Sequence, residues 1–213
     1  MKYKKWVDTI NRIRGGMETR LDKVRLDKNE RLAPFTKELW DNVMAKFRQE
    51  HILAYPEVEP LYEKLAHFLG MTTDTLLITA GSDFAIKVAF DLFVNPGDEV
   101  IILDPTFAMV DVYCGLYSAK KIKIGYDSNL NLDIDKLIEA INEKVSLLVI
   151  ANPNSPTGTY ISNDILEGIL RKAKQFSVPV LIDEAYYGFC PFTAIDLLSI
   201  YNNLIITRTF SKT

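Results

Sequence analysis

The sequence predicts an α/β fold, a three-layer αβα sandwich built on a mainly parallel sheet. Three observations carry that reading. From residue 76 onward, short apolar runs alternate with amphipathic segments of helical spacing. Several of the runs are apolar on successive residues, Val100-Ile101-Ile102-Leu103, Leu147-Leu148-Val149-Ile150 and Val180-Leu181-Ile182, as strands are when helices cover both faces of a parallel sheet. Asn95-Pro96-Gly97-Asp98 is a turn placed directly before one of them. Crossovers in such a sheet are expected to be right-handed.

Taken in order, residues 1–35 are polar and irregular, with Gly15-Gly16 and then Leu26-Asp27-Lys28-Asn29-Glu30. They read as an arm that needs another surface to pack on, and 36–213 as the domain proper. Thr36–Glu50 carries Leu39, Val43 and Phe47, and Glu57–Leu69 carries Leu61, Leu65 and Phe68, both at helical spacing. Gly70 fits the stop of the second helix. Between them Ala54-Tyr55-Pro56 forces an extended entry. The strands are then expected at Leu76–Thr79, Glu99–Leu103, Lys121–Ile124, Ser146–Ala151, Pro179–Asp183 and Leu204–Thr207. The helices between them are expected at Asp83–Val94, Thr106–Tyr113, Asp135–Asn142 and Ser162–Phe176.

Composition excludes several classes. A chain of 213 residues suits one domain, or one domain and part of another, at roughly 150 residues per domain. Hydrophobic residues at 48% and charged residues at 25% are globular rather than disordered. With 25 basic and 28 acidic side chains the net charge is −3, which gives no reason to expect nucleic acid or an anionic membrane as partner. No apolar stretch approaches the ~20 residues of a spanning helix. Met1 to Arg14 lacks the apolar core of a secretory signal. Cys114 and Cys190 lack metal spacing and read as buried thiols of a reducing compartment. His51 and His67 are too few for a metal cluster. A soluble, cytoplasmic protein without a metal is the expectation.

Ligands of such sheets sit outside the carboxyl ends of the strands. Four segments lie there. Ala80-Gly81-Ser82-Asp83 opens a helix, and its amides suit a phosphate, or else it is an ordinary N-cap. Asn152-Pro153-Asn154-Ser155-Pro156-Thr157-Gly158 is stiffer than a connecting turn needs to be. Asp183, at the end of an apolar strand, is penalised by desolvation unless a cation is near, and a cap or a salt bridge would serve equally. Lys212, among hydroxyl residues after the last strand, is either a Schiff-base nucleophile or a solvated lysine. One ligand would use all four together: pyridoxal 5'-phosphate, with its phosphate, aldehyde and pyridine nitrogen.

The chain resembles the fold-type-I pyridoxal-phosphate enzymes, and among them the histidinol-phosphate aminotransferase-like group. The resemblance runs from Leu26 to the last residue. It rests on Leu26–Glu30, Tyr55-Pro56, Gly81-Ser82-Asp83, Asp104-Pro105-Thr106-Phe107, Asn152–Gly158, Asp183-Glu184-Ala185-Tyr186 and Ser211-Lys212, with Asp183 lying 29 residues before Lys212. It implies that Lys212 forms the Schiff base and moves a proton, that Asp183 pairs with the pyridine nitrogen, and that Tyr186 bonds the phenolic oxygen. It also implies that Phe107 stacks on the ring and that Ser82, Asp83, Thr209 and Ser211 hold the phosphate. Tyr55 matches a tyrosine that reaches the neighbouring subunit's phosphate, which implies a homodimer. The activity implied is transfer of an amino group between an amino acid, with glutamate as donor, and a small keto or aldehyde acceptor, with or without a phosphate. A decarboxylase of a phosphorylated amino acid and a non-catalytic interaction scaffold are the alternatives.

The chain departs from the family pattern twice. The family has Asn immediately before Pro-Thr-Gly; here Ser155 stands there, with Asn154 one position earlier, which implies a weaker or water-mediated contact. The family also continues beyond the lysine into a small C-terminal domain. A chain ending one residue after Lys212 would leave a sheet edge and apolar helix faces uncovered. It is therefore expected to be a fragment with an incomplete cofactor-binding domain, poorly folded and inactive alone.

Overall fold

Five of the six expected strands form one parallel sheet: β1 (Glu99–Asp104), β2 (Lys120–Gly125), β3 (Val145–Ala151), β4 (Val180–Asp183) and β5 (Leu204–Thr207), in the order β2-β1-β3-β4-β5. The structure is a computed structural model and describes Lys2, Val7, Asp8 and residues 20–212; Gly15-Gly16 lies outside the described residues. The chain divides into two compact units, Glu18–Thr79 and a larger one holding Ala80–Thr213.

In the larger unit, alternation along each strand builds two cores, one on each face of the sheet. Ile101, Leu103, Leu148, Ile150, Val180 and Ile182 point to one side. There they meet Leu137 of α6 (Ile134–Ala140) and Leu166, Ile169 and Leu170 of α7 (Asn163–Gln175). Val100, Ile102, Leu147, Val149 and Leu181 point to the other. They meet Ile86, Ala89 and Phe90 of α4 (Gly81–Phe93) and Val110 and Cys114 of α5 (Ala108–Leu116). Each such side chain stabilises the fold by about 1.5–3 kcal/mol on leaving water, so the three layers follow directly from the runs of successive apolar residues. β2 is the exception that marks an edge: Lys121 and Lys123 face outward while Ile124 is buried, and charged residues of this kind discourage further pairing.

The sixth run, Leu76–Thr79, is a correction. It forms no part of the sheet; Leu76 is extended and Leu77 is largely exposed. Three apolar residues and a threonine predict extended backbone, but a strand also needs a neighbour, and that is not a local property. The remaining shifts have identifiable caps. The single helix expected over Thr36–Glu50 is α1 (Lys37–Lys46) followed by the short α2 (Glu50–Leu53). Thr36 Oγ1 accepts from Leu39 N–H, Phe47 turns extended, and Arg48 N–H donates to His51 Nδ1. α3 (Glu59–Leu69) starts two residues late, with Pro60 in its first turn, and ends as expected at Gly70, φ +66°. α5 starts two residues late because Thr106 gives its hydroxyl to Asn154, 2.8 Å away, and Phe107 becomes the N-cap. α6 ends two residues early where the Asn142 amide donates to the Ala140 carbonyl at 2.9 Å.

The smaller unit is tied at its start by charge. Arg20 pairs with Asp27 and, at 2.6 Å, with Glu30, which also accepts from Arg25 Nε at 2.8 Å. These hydrogen bonds hold the Asp27 and Glu30 carboxyls below their ordinary range. No helix among the described residues is long and apolar enough to cross a membrane. Cys114 is buried, and desolvation pushes its thiol up to about 12; Cys190 is only half-buried, which corrects the expectation of two buried thiols.

Candidate active site

The carboxyl ends of β1, β3, β4 and β5 lie side by side and carry three of the four segments singled out in the sequence; the fourth, at α4, packs beside them. Strand periodicity decides which side chains face α4. Leu181 of β4 belongs to the α4–α5 core, so Asp183, two residues on, points the same way; Ile205 packs there too, and so Thr207 follows. Asp183 and Thr207 are register partners, and the Thr207 hydroxyl donates to Asp183 Oδ1 at 2.7 Å.

Asp183 is only 5% exposed, and among the described residues it pairs with no cation. Burial raises its pKa to about 6. The hydrogen bonds from Thr207 and from the Ala185 amide oppose that rise, and the nearby charges of Asp83 and Glu184 add to it. A carboxylate in this position is poised for a cationic partner that the described residues do not supply.

Beside it, α4 opens at Gly81, whose φ of +79° is the left-handed region that favours glycine. Ser82 and Asp83 follow in the first turn, where amides have no acceptor within the helix. A Cβ on Gly81 would sit 3.8 Å from Thr209 Oγ1, so the chain leaving β5 passes against this helix start. Thr209 Oγ1 is 3.1 Å from Ser211 Oγ and accepts from the Ser211 amide at 3.2 Å. Two amides at a helix N-terminus and two hydroxyls on one turn form a donor set that fits a phosphate. The carboxylate of Asp83 is drawn aside from it by Tyr113, whose hydroxyl donates to Asp83 Oδ1 at 2.8 Å.

Lys212 is half-buried, with Nζ 5.9 Å from the centroid of the Tyr186 ring. Phe107 caps α5 at the end of β1 and packs its half-buried ring against the α4–α5 core. Ser155 is half-buried and its hydroxyl makes no hydrogen bond with the described residues; Asn154 does not substitute for it. Asn154 is buried, accepts from Thr106, and donates to the Pro105 carbonyl at 3.0 Å and to Thr157 Oγ1 at 2.8 Å, stitching the β1 and β3 exits together. Asn152 performs the same service within its loop, bonding Ile161 through both amide atoms. Tyr55 belongs to the smaller unit, where its ring is 98% exposed. The structure thus gathers Asp183, Ser82, Asp83, Thr209 and Ser211, pairs Lys212 with Tyr186, and sets Phe107 and Ser155 on neighbouring strand exits.

Residues without an assigned role in the sequence reading complete the frame. Thr207 holds Asp183. Glu184, fully buried, accepts from Arg208 Nε at 2.9 Å and Nη2 at 2.8 Å, from Thr193 Oγ1, and from the Ala194 amide at 2.6 Å. A glutamate directly after the strand-end aspartate and an arginine directly after the last strand were visible as a charge pair of opposite sign; that they meet depends on the pairing of β4 with β5.

The family model of the aminotransferases of class I and II matches residues 21–213. The chain belongs to that family. A histidinol-phosphate aminotransferase of Dehalococcoides mccartyi (strain CBDB1) is 38% identical over 192 residues, 89% of this chain and 51% of that protein. One of Chlorobaculum tepidum is 33% identical over 207 residues, 94% of this chain and 57% of that protein. The chain therefore spans about half the length of the curated relatives it matches. The crystal structure of histidinol-phosphate aminotransferase from Sinorhizobium meliloti in complex with pyridoxal-5'-phosphate superposes with a TM-score of 0.76. It covers 87% of this chain and 51% of that one at 22% identity, which is a likeness of fold.

Proposed function

We propose that this aminotransferase-family chain provides the cofactor-binding part of a pyridoxal-phosphate-dependent aminotransferase of the histidinol-phosphate type. Its substrates are an amino acid, glutamate as donor, and a small keto or aldehyde acceptor, with or without a phosphate. The observation that carries the reading is Asp183, a buried carboxyl with no cation among the described residues, set beside a phosphate-shaped donor set and bonded to Thr207, five residues before Lys212. The names of the relatives support the reaction class. When bound, the cofactor supplies an electron sink for the carbanion formed at the amino-acid α-carbon.

The chain's own residues do the rest. Asp183 holds a proton at the pyridine nitrogen. The Ser82 and Asp83 amides and the Thr209 and Ser211 hydroxyls bind the phosphate. Lys212 holds the aldehyde end and carries the proton at Nζ, Tyr186 orients the phenolic oxygen, and Phe107 covers the ring face. Ser155, shorter than asparagine, reaches that oxygen weakly or through water. Tyr55 completes the phosphate site of a second copy, so the working protein is a homodimer. The division into an arm (1–35) and a cofactor-binding domain (36–213), and a cytoplasmic location, belong to the same proposal. Absorbance of the purified protein with added pyridoxal phosphate tests the reading: a visible band is expected that Lys212→Ala abolishes, and a band equally strong in Lys212→Ala contradicts it.

A further inference from the structure

β4 and β5 leave the sheet with residues alternating between its faces, and the two faces are used differently. Thr207 and Thr209 point toward α4, one bonded to Asp183 and the other beside Gly81. Arg208, between them, points to the opposite face, where Ile182, Ile206, Ala194 and Leu197 pack. There its guanidinium grips Glu184 through two nitrogens, donates from Nη2 to Thr193 Oγ1 at 2.7 Å, and lies 4.1 Å from the Tyr187 ring centroid. Three segments are tied by this one side chain: the β4 exit through Glu184, the turn that follows it through Tyr187, and the loop at Thr193–Ala194.

The backbone ladder runs one step past β4, the Glu184 amide donating to the Thr207 carbonyl at 2.8 Å. Beyond Thr207 no strand neighbour among the described residues fixes the chain, and the dihedral freedom of residues 208–211 decides where the Thr209 and Ser211 hydroxyls lie. A fork held by a buried carboxylate, stacked on an aromatic ring, fixes Arg208 in direction as well as in place. We infer that the Glu184–Arg208 clamp is a positioning device acting through the backbone, which holds the Thr209–Ser211 turn against the start of α4 and so sets the affinity for the cofactor's phosphate. Neither residue touches the cofactor; they act from the other face of the sheet. The inference rests on the functional reading above, and its test separates the two.

Arg208→Lys keeps the charge opposite Glu184 but removes the fork and the ring stacking, so the chain stays folded, as a cooperative melt checks. Dissociation constants of pyridoxal 5'-phosphate and of pyridoxal, which has the ring and aldehyde without the phosphate, are measured by absorbance titration of the full-length protein and of this variant. Loss of a well-aimed hydrogen bond to a charged group costs on the order of tenfold or more in affinity. The clamp predicts roughly that loss for pyridoxal 5'-phosphate, with pyridoxal changed less than about twofold. It also predicts that Thr209→Ala in the Arg208→Lys background costs less than Thr209→Ala alone, because the hydroxyl is already displaced. Equal losses for both ligands, no loss for either, or additive effects of the two substitutions would overturn the clamp. A wild-type protein that binds neither ligand would overturn the functional reading, and the clamp with it.

Discussion

Asp183 and Glu184 are adjacent acids at the end of β4, both buried, and the chain treats them in opposite ways. Glu184 faces the α6–α7 side and is surrounded by donors of the protein's own: a two-pronged arginine, a threonine hydroxyl and a backbone amide. Asp183 faces the α4 side with one hydroxyl and one amide, no cation among the described residues, and a pKa lifted to about 6 by burial. A one-residue step along a strand reverses the face, and here it also separates two uses of a buried carboxylate. One is completed within the chain and holds structure; the other is left incomplete, which is how a protein prepares a place for a cationic ligand group.

The largest effect should come from breaking the completed acid. Arg208→Leu leaves Glu184 buried without its cation, and losses of this kind run to about 3–5 kcal/mol; denaturant melting should show a drop of that size. If the melt were unchanged, Glu184 would be no better served than Asp183. The second test is the pH dependence of cofactor-free protein. Because the folded pKa of Asp183, about 6, lies above the unfolded value near 3.8, the native state holds the extra proton between those limits. Its contribution is fully present below pH 3.8 and is lost as pH rises through about 6, roughly 3 kcal/mol by linkage. Asp183→Asn should lack this loss, so the difference between the two proteins should grow by about that amount between a pH below 3.8 and pH 7 in urea titrations.

Asn154→Ala sharpens the comparison with a neutral group. It removes three hydrogen bonds at a buried position and should cost about 2 kcal/mol, without the pH dependence of Asp183. Thr207→Val, close in shape, removes the one side-chain donor to Asp183. It should cost about 1 kcal/mol and move the Asp183 titration further up, which the carboxyl resonance of that residue would report.

Much of this was legible in the sequence. Runs such as Val100–Leu103 and Leu147–Ile150 require cover on both faces, and the layers followed. Gly70, Asp183 and the Gly81-Ser82-Asp83 turn could be read locally because backbone conformation and charge at a strand end are local properties. Leu76–Thr79 misled because a ladder partner is chosen by the rest of the fold. The starts of α3 and α5 slipped because proline and a threonine bonded 48 residues away, rather than apolar spacing, set them. The bond of Glu184 to Arg208 and that of Thr207 to Asp183 were hidden for the same reason: each joins residues 24 positions apart whose meeting depends on the register of β4 with β5.

The account turns on the claim that Asp183 is held ready for a cation brought by the ligand. Titrating its side-chain carboxyl by carbon NMR, with and without pyridoxal phosphate, tests this directly. The midpoint should lie near 6 in cofactor-free protein and fall well below pH 4 once the cofactor binds, as the pyridinium charge stabilises the carboxylate. A midpoint already in the ordinary aspartate range without cofactor, or one that the cofactor leaves unmoved, would contradict it.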